Sequence, residues 1–271
     1  MIVIHRTVWL FVAIQLAVMT TVPLPAAADD WTVVEDDRWC SGDRERLCEA
    51  RETILQDRDG IVVDGNDNRG MHIEGWDRDT IRLRAYVSVW APDDEAAREI
   101  NDGIQIVTEG RRIYAKGPDH RSRNRGWAVS FHLMVPEASD LDLETLNGGI
   151  EVKGVYGDIR FEAVNGGIRL ADLGGDVRGS TVNGGVVVRL AGDRWRGRSL
   201  DVDTTNGSVK LQIPEEYSAD VETGTVNGSI DLAFPVTIQG KIGRSLRFTL
   251  GDGGARVRVR TVNGDVRLTR P

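Results

Sequence analysis

The stretch Thr145–Ile150 reads TLNGGI, and five close variants of it follow before the chain ends. Their asparagines lie 18, 18, 23, 21 and 36 residues apart, and the last interval equals two of the first. A catalytic motif is used once, whereas a motif that returns at such intervals indicates the framework of a repeat protein. The variants are AVNGGI from residue 163, TVNGGV from 181, TTNGSV from 204, TVNGSI from 225 and TVNGDV from 261.

A finer spacing of nine residues joins the glycines at positions 148, 157, 166, 175 and 184. Each nine-residue unit has apolar residues at its third and eighth positions, and the first three units also at the fifth. Because strand side chains alternate between two faces, the third and fifth positions share one face. The residues predicted to face inward are Ile150, Val152, Ile159, Phe161, Ile168 and Leu170, and those predicted to face solvent are Glu151, Arg160 and Arg169.

Two architectures satisfy this pattern: a chain of hairpins in one long antiparallel sheet, or a β-solenoid of stacked 18-residue coils. The solenoid is favoured because the same residue types recur at the same phase, as they do when like side chains stack at about 4.8 Å. Asparagine and glycine tolerate positive φ, so each Asn-Gly pair is predicted to form a tight corner.

The region before the repeats predicts a different kind of sheet. Residues 29–140 contain segments such as MHIEGW and WAVSFHLMV, in which β-branched and aromatic residues lie between turn residues. An acidic interruption from Pro92 to Asp102 predicts one short helix. The predicted fold is therefore all-β, with an antiparallel β capping region at 29–140 and a β-solenoid at 141–271.

Residues 1–28 have the features of a secretory signal peptide. A short basic start precedes an apolar run from Val8 to about Val22, and Ala26–Ala28 provides a cleavage site before Asp29. An uncleaved anchor is the alternative, but Pro23 and Pro25 interrupt the run before the ~20 residues of a spanning helix. Export would place the protein in the periplasm, at the cell surface or outside the cell.

Cys40 and Cys48 are the two cysteines of the chain. In an oxidising compartment such a pair persists as a disulfide, which would close a small loop near the mature N-terminus. A redox or metal-binding role is the alternative, but the segment lacks a CxxC spacing and a nearby histidine. A structural disulfide is therefore predicted.

Charge and hydropathy exclude two classes of protein. The net charge is −8, and it becomes −9 once the signal segment with its single arginine is removed, which argues against general nucleic-acid binding. No segment after residue 28 is long and apolar enough to span a membrane. The remaining ~240 residues can bury a sizeable core.

Several motifs together resemble a known family. They are the two-cysteine segment, GWDRD at Gly75–Asp79, the repeated TVNGG, TVNGS and TVNGD, and the terminal GDGGARVRVRTVNGDVRL. In these the chain, from about Trp39 to Leu268, resembles the bacterial putative-adhesin family of exported β-strand-repeat proteins of unassigned function. The resemblance implies a β-solenoid and an envelope location. The stretch Ala191–Thr204 and the stretch after Asn227 depart from the regular repeat.

Motifs for catalysis or metal binding are lacking in the sequence, and no cofactor or metal is predicted. His72, His120 and His132 have no metal-ligand spacing, and His132 is expected to be an ordinary sheet residue. DGNDNRG at 64–70 has oxygen side chains at alternate positions but lacks the glycine and glutamate of a calcium loop, so a polar hairpin turn is predicted. GDGG at 251–254 is likewise predicted to be a turn.

Charged clusters provide the remaining candidates. Paired carboxylates can hydrolyse glycosides, although solvated surface charges are the simpler interpretation of the candidate acids Asp201, Asp203, Glu215 and Glu216. Guanidinium groups bind carboxylate and phosphate, so Arg256, Arg258 and Arg260 are predicted contacts for an anionic partner. The alternative is that these arginines, and those in HRSRNR and DRWRGR, pair with acidic residues on neighbouring coils.

Repeats without a catalytic motif favour an exported, non-catalytic, adhesin-like or scaffold protein that presents a repetitive β surface. Its partner would be an envelope polymer or protein that the sequence does not identify. The alternative function is a polysaccharide-active enzyme on the same solenoid, which is an analogy of fold.

Overall fold

A computed structural model describes residues 30–35, 39–40, 46–66, 69–119, 122, 124–237 and 243–271, and every structural statement below concerns these residues. The predicted signal segment at 1–28 lies outside them. No helix in this part of the chain is long and apolar enough to cross a membrane.

The N-terminal region contains eight strands and one helix. Helix α1 spans Asp94–Asp102, and Asp93 caps it by accepting a hydrogen bond from the N–H of Ala96. The predicted acidic helix is therefore confirmed. The strands are β1 (Thr32–Val34), β2 (Leu47–Gln56), β3 (Ile61–Asp64), β4 (Met71–Trp76), β5 (Thr80–Trp90), β6 (Gln105–Glu109), β7 (Arg112–Lys116) and β8 (Gly126–Pro136).

The repeat region alternates a long strand with a short one, and each such pair forms a coil around one Asn-Gly corner. The pairs are β9 (Leu141–Asn147) with β10 (Ile150–Lys153), β11 (Tyr156–Asn165) with β12 (Ile168–Ala171), β13 (Gly174–Asn183) with β14 (Val186–Arg189), β15 (Gly197–Asn206) with β16 (Val209–Gln212), β17 (Ala219–Asn227) with β18 (Ile230–Leu232) and, after the single strand β19 (Ser245–Leu250), β20 (Arg256–Asn263) with β21 (Val266–Thr269).

Two sheets result, and their coil strands pair in parallel. The first sheet has 11 strands in the order β1-β2-β5-β8-β4-β10-β12-β14-β16-β21-β18, and the second has 10 in the order β19-β17-β20-β15-β13-β11-β9-β3-β7-β6. Ile150 lies beside Ile168 and Ile168 beside Val186, so identical repeat positions are stacked. The solenoid is confirmed, since linked hairpins would give antiparallel pairs.

The core lies between the two sheets. All six residues predicted to face inward are no more than 2% exposed, and they belong to one continuous apolar cluster. Arg160 and Arg169 are exposed and Glu151 is half-buried, as the alternation predicted. The period-2 pattern therefore identified the buried face of each coil.

The stack starts before residue 140. Strands β3 and β4 form a coil of their own, since β3 pairs in parallel with β9 and β4 pairs in parallel with β10. The antiparallel capping strands β2, β5 and β8 extend the first sheet beyond β4, and the β6–β7 hairpin ends the second sheet. Both sheets thus run across the boundary predicted at residue 140.

The coils are not stacked in chain order at the C-terminal end. Strand β20 pairs with β15 on one side and with β17 on the other, and β21 pairs with β16 and β18 in the same way. The last coil of the chain is therefore inserted between two coils that precede it. The 36-residue interval between Asn227 and Asn263 spans β19 and this return.

The corner glycines are required by close approach of backbones. Each Asn-Gly pair forms the predicted corner, but its asparagine does not use the positive φ that this residue tolerates, because Asn66 and Asp172 are the non-glycine residues with positive φ in the described part of the chain. A Cβ added to Gly166 would lie 1.8 Å from the carbonyl oxygen of Gly148, and one on Gly184 would lie 2.0 Å from that of Gly166. Only glycine fits where stacked corners come this close.

Candidate interaction surface

The outer face of the second sheet presents side chains in rows that run along the stack. In β11 the inward residues Ile159, Phe161 and Ala163 are buried, so Glu162 and Val164 face solvent. The parallel, in-register pairing repeats this arrangement in each neighbouring long strand. Equivalent outward side chains therefore form continuous rows along the stack. Neighbouring members of one row are one strand separation apart, about 4.8 Å.

One of these rows is apolar, and we call it the valine row. Its members occupy the position before the corner asparagine, and five of them are large apolar residues that are 37–51% exposed. The sixth is the exposed Thr205. In the order of the strands β9, β11, β13, β15, β20 and β17, the valine row is Leu146, Val164, Val182, Thr205, Val262 and Val226.

Two open grooves follow the valine row. The larger, of about 600 Å³, is lined by Val182, Val226 and Val262 together with Asp203 and Arg260. The smaller, of about 320 Å³, is lined by Leu146 and Val164 with acidic neighbours. Both grooves include Ser180 and Val182, so they form one continuous path along the sheet.

The corner asparagines form an amide ladder beside the valine row. The Nδ2 of Asn165 donates to the Oδ1 of Asn147 at 2.9 Å, and that of Asn183 donates to Asn165 at 2.9 Å. The ladder continues through Asn206 and Asn263 to Asn227 at donor-to-acceptor distances of 2.7–2.9 Å. Asparagine recurs because each amide binds the same amide of the next coil.

Replacing Asn183 by alanine is expected to lower the free energy of unfolding by about 1.5 kcal/mol, because two amide hydrogen bonds are lost at about 0.5–1.5 kcal/mol each. Asn227→Ala is the matched control: Asn227 lies at the end of the ladder and makes one such bond. About half the effect is expected there. Urea unfolding of both variants measures the difference, and equal losses would contradict a role for the ladder.

The three arginines predicted to bind an anion lie on the outer face of β20, next to acidic residues of β15. Arg258 binds Asp201 through Nε at 2.5 Å and Asp203 through a terminal nitrogen at 3.0 Å. Arg256 lies 3.3 Å from Asp201, and Arg260 lies 3.3 Å from Asp203. All three guanidinium groups therefore pair with carboxylates of a neighbouring coil.

The candidate acids are divided between two places. Asp201 and Asp203 share the outer face of β15, whereas Glu215 and Glu216 lie in the exposed turn after β16. Burial raises the pKa of Asp203; Arg258 opposes this effect, and the negative charges of Asp201 and Glu222 reinforce it. Asp203 therefore combines a raised pKa with a position in the larger groove.

The DRWRGR cluster is also paired. Arg198 lies 3.1 Å from the buried Asp176 and 3.3 Å from Asp158, and Arg196 stacks on Tyr156 at 4.0 Å from the ring centroid. A hydrogen bond from Ser199 lowers the pKa of Asp176, and the charges of Arg178 and Arg198 lower it further, against the effect of burial.

Within the second cluster, HRSRNR, Arg125 pairs with Glu99 at 3.0 Å. Residues 120, 121 and 123 lie outside the described residues.

Two histidines that are far apart in sequence meet on the first sheet. Parallel pairing of β4 with β8 places His72 beside His132, with ring centroids 5.0 Å apart, and Tyr86 packs edge-on against His132 at 4.8 Å. His72 also lies 3.5 Å from Glu151. His132 lies in strand β8, as expected, and the sequence spacing of the two histidines gave no sign that parallel pairing would bring them together. His120 lies outside the described residues.

The remaining predicted features are turns and the disulfide. Cys40 and Cys48 are bonded. The predicted polar hairpin at 64–70 is wrong, because β3 and β4 belong to different sheets and the segment is a corner of the first coil; positions 67 and 68 lie outside the described residues. GDGG is the turn between β19 and β20, as predicted, and Gly253 has a φ of 74°.

Comparison with known proteins yields one family and several solved structures. The sequence pattern of the family described as Toastrack DUF4097 matches residues 132–269. No curated protein matches the chain. A putative cell adhesion protein from Clostridium sporogenes has 11% identity and a TM-score of 0.49, over 83% of this chain and 100% of that one. A putative adhesin from Parabacteroides merdae has 10% identity and a TM-score of 0.40, over 83% and 97%. A putative lipid binding protein from Parabacteroides distasonis has 11% identity and a TM-score of 0.36, over 82% and 97%.

Proposed function

Since this chain belongs to the Toastrack DUF4097 family, we propose that it is an exported, non-catalytic, adhesin-like or scaffold protein that presents a repetitive β surface to an envelope or extracellular partner. This membership confirms the resemblance to the putative-adhesin family that the repeats indicated. The observation on which the proposal rests is the register of the second sheet, which aligns equivalent outward positions from coil to coil. Such a surface suits a partner that is itself extended.

Export is supported by two independent features. Residues 1–28 have the pattern of a signal peptide, and the Cys40–Cys48 disulfide is of a kind that persists outside the cytoplasm. We place the mature protein in the periplasm, at the cell surface or outside the cell. The mature N-terminus would lie near Asp29.

The proposed domain organisation has a capping region at 29–140 and a repeat region at 141–271, with the first coil of the stack contributed by the capping region. Within the repeat region, Arg256 and Arg260 are the exposed members of the arginine cluster, at 54% and 41%, and Arg258 is 18% exposed. An anionic partner would contact the two exposed guanidiniums while their carboxylate partners stay in place.

A polysaccharide-active enzyme is the second candidate, and one observation favours it. Asp203 lines the larger groove with a raised pKa, as a general acid would, and Arg260 lies 3.3 Å away. Against it, both oxygens of Asp203 bind arginines, and glycoside hydrolysis needs a second carboxyl group facing the scissile bond.

The test has two parts. The tagged full-length chain is expressed in a bacterium, and the exported protein is expected to have the mass of a chain that begins near Asp29. The purified protein is then incubated with isolated envelope material and with a panel of acidic glycans. Saturable co-sedimentation without new reducing ends or unsaturated products supports the adhesin-like role.

Two results would overturn the proposal. A full-length protein confined to the cytoplasm would exclude export. Release of sugar products by the natural chain, lost in Asp203→Asn, would establish the enzyme instead.

A further inference from the structure

The valine row is an apolar stripe on an otherwise charged face. Across six adjacent strands the row has five large apolar side chains that remain 37–51% exposed, with Thr205 as its sixth member, whereas the other outward rows of the sheet are polar or mixed. Scattered single exposed apolar residues need no explanation, but a contiguous apolar stripe with a polar border marks an interaction site. The question is which partner covers it.

The row next to the valine row, two residues earlier in each strand, is acidic on β9 and β11 and carries its arginine on β20, near the opposite end. We call it the charged row; in strand order it is Glu144, Glu162, Ser180, Asp203, Arg260 and Gly224. Among the described residues, Glu144 and Glu162 form no ion pair, so their charges face solvent. Toward the opposite end lie Arg260, whose Nε also contacts Asp203 at 3.3 Å, and Arg244, which directly precedes β19 and whose Nη1 donates to the carbonyl oxygen of Val226 at 2.6 Å.

This distribution is complementary to itself. A two-fold axis parallel to the strands, placed between β13 and β15, exchanges β11 with β20 and β9 with β17. It brings Val164 opposite Val262 and Glu162 opposite Arg260 in a second copy. Neighbouring strands are separated by the same distance, about 4.8 Å, throughout both copies. One pair of opposed side chains therefore brings the other pairs along the two rows into register.

We propose that a second copy of this chain covers the valine row, face to face and antiparallel, to form an isologous dimer. In the alternative with parallel stacks, the charged row of one copy would face the neutral amide ladder of the other, and the free charges of Glu144 and Glu162 would meet no cation. The antiparallel arrangement pairs apolar with apolar side chains and the acidic end with the basic end.

The first experiment measures the mass of the purified, disulfide-bonded protein by analytical ultracentrifugation across a wide range of concentration. A monomer–dimer equilibrium is expected. Val164→Lys should raise the dimer Kd by about 30-fold or more, since it places a charge inside the apolar contact, opposite Val262 of the second copy. Val187→Lys is the matched control: Val187 faces outward on the first sheet, and its substitution should leave the Kd unchanged. Circular dichroism verifies that both variants are folded.

A second experiment tests the orientation. Chains with Val164→Cys are mixed with chains with Val262→Cys and treated with a short thiol crosslinker; the natural cysteines are bonded to each other and do not react. The mixed product should exceed both homodimeric products.

Three results would overturn the proposal: a monomer at every concentration, a Kd unaffected by Val164→Lys, or a dominant 164-to-164 crosslink. Each can occur while export and envelope binding hold, so the dimer and the proposed function fail separately.

Discussion

Deletion of residues 255–271 is expected to unfold the repeat region. A sequential solenoid would lose one terminal coil, but here β20 and β21 fill the space between β15–β16 and β17–β18. The deleted coil contributes four fully buried side chains, Val257, Val259, Val266 and Leu268. Burial of each is worth about 1.5–3 kcal/mol, so their sum, about 6–12 kcal/mol, is comparable to the whole stability of a domain.

The deletion also isolates the preceding coil. Without β20, strand β17 retains only its antiparallel neighbour β19, and β18 has no neighbour left in the first sheet. The apolar faces of β15 and β16 would be exposed at the same time. Aggregation is therefore expected along with unfolding.

Thermal unfolding followed by circular dichroism measures this effect. The truncated chain should show no cooperative transition, and a synthetic peptide of residues 255–271 added during refolding should restore one. If the truncated chain melts within a few degrees of the intact protein, the last coil is a terminal coil and the inserted order is wrong.

The sequence predicted which face of each coil is buried, but it did not predict the order in which the coils are stacked. The buried face could be read from Ile150, Ile159 and Ile168 because side-chain alternation is a local property of each strand. The order of coils at the C-terminal end depends on which strand edge is free to pair with β20. The interval of 36 residues is the same whether the last coil lies at the end of the stack or between two earlier coils. The coil of β3 and β4 was missed for another reason: its corner lacks the Asn-Gly signal.

The exposure of the valines could have been predicted by counting whether each lies an odd or an even number of residues from a buried residue of the same strand. Val155 follows a turn and faces inward, whereas Val164 lies on the uninterrupted strand β11, an odd number of residues from Ile159, and faces outward. Both occupy the eighth position of their unit, so the repeat alone assigns them no face. The strand boundary decides it, and boundaries are the least certain part of a sequence pattern.

Gly184→Ala is expected to lower the free energy of unfolding by about 3 kcal/mol or more. The added Cβ would lie 2.0 Å from the carbonyl oxygen of Gly166. This oxygen cannot move away easily, because it belongs to the backbone of a coil that is packed between two neighbouring coils. Overpacking of this kind typically costs about 1–3 kcal/mol, and a backbone obstacle places it at the upper end or beyond. The coil can relieve the contact only by separating from its neighbour, which breaks the amide ladder at Asn183 as well.

The matched control is Gly185→Ser, one residue further along the same corner. A Cβ there would lie 3.3 Å from the carbonyl oxygen of Ser208, and the chain itself has Ser208, Ser229 and Asp265 at this position of later coils. A change within about 0.5 kcal/mol is expected. Urea unfolding of the two variants should therefore separate adjacent glycines by more than about 2 kcal/mol. Similar losses of unfolding free energy at both positions would mean that the corner glycines are needed for their backbone conformation. The close approach of stacked coils would then not explain why the first residue after each corner asparagine is always glycine.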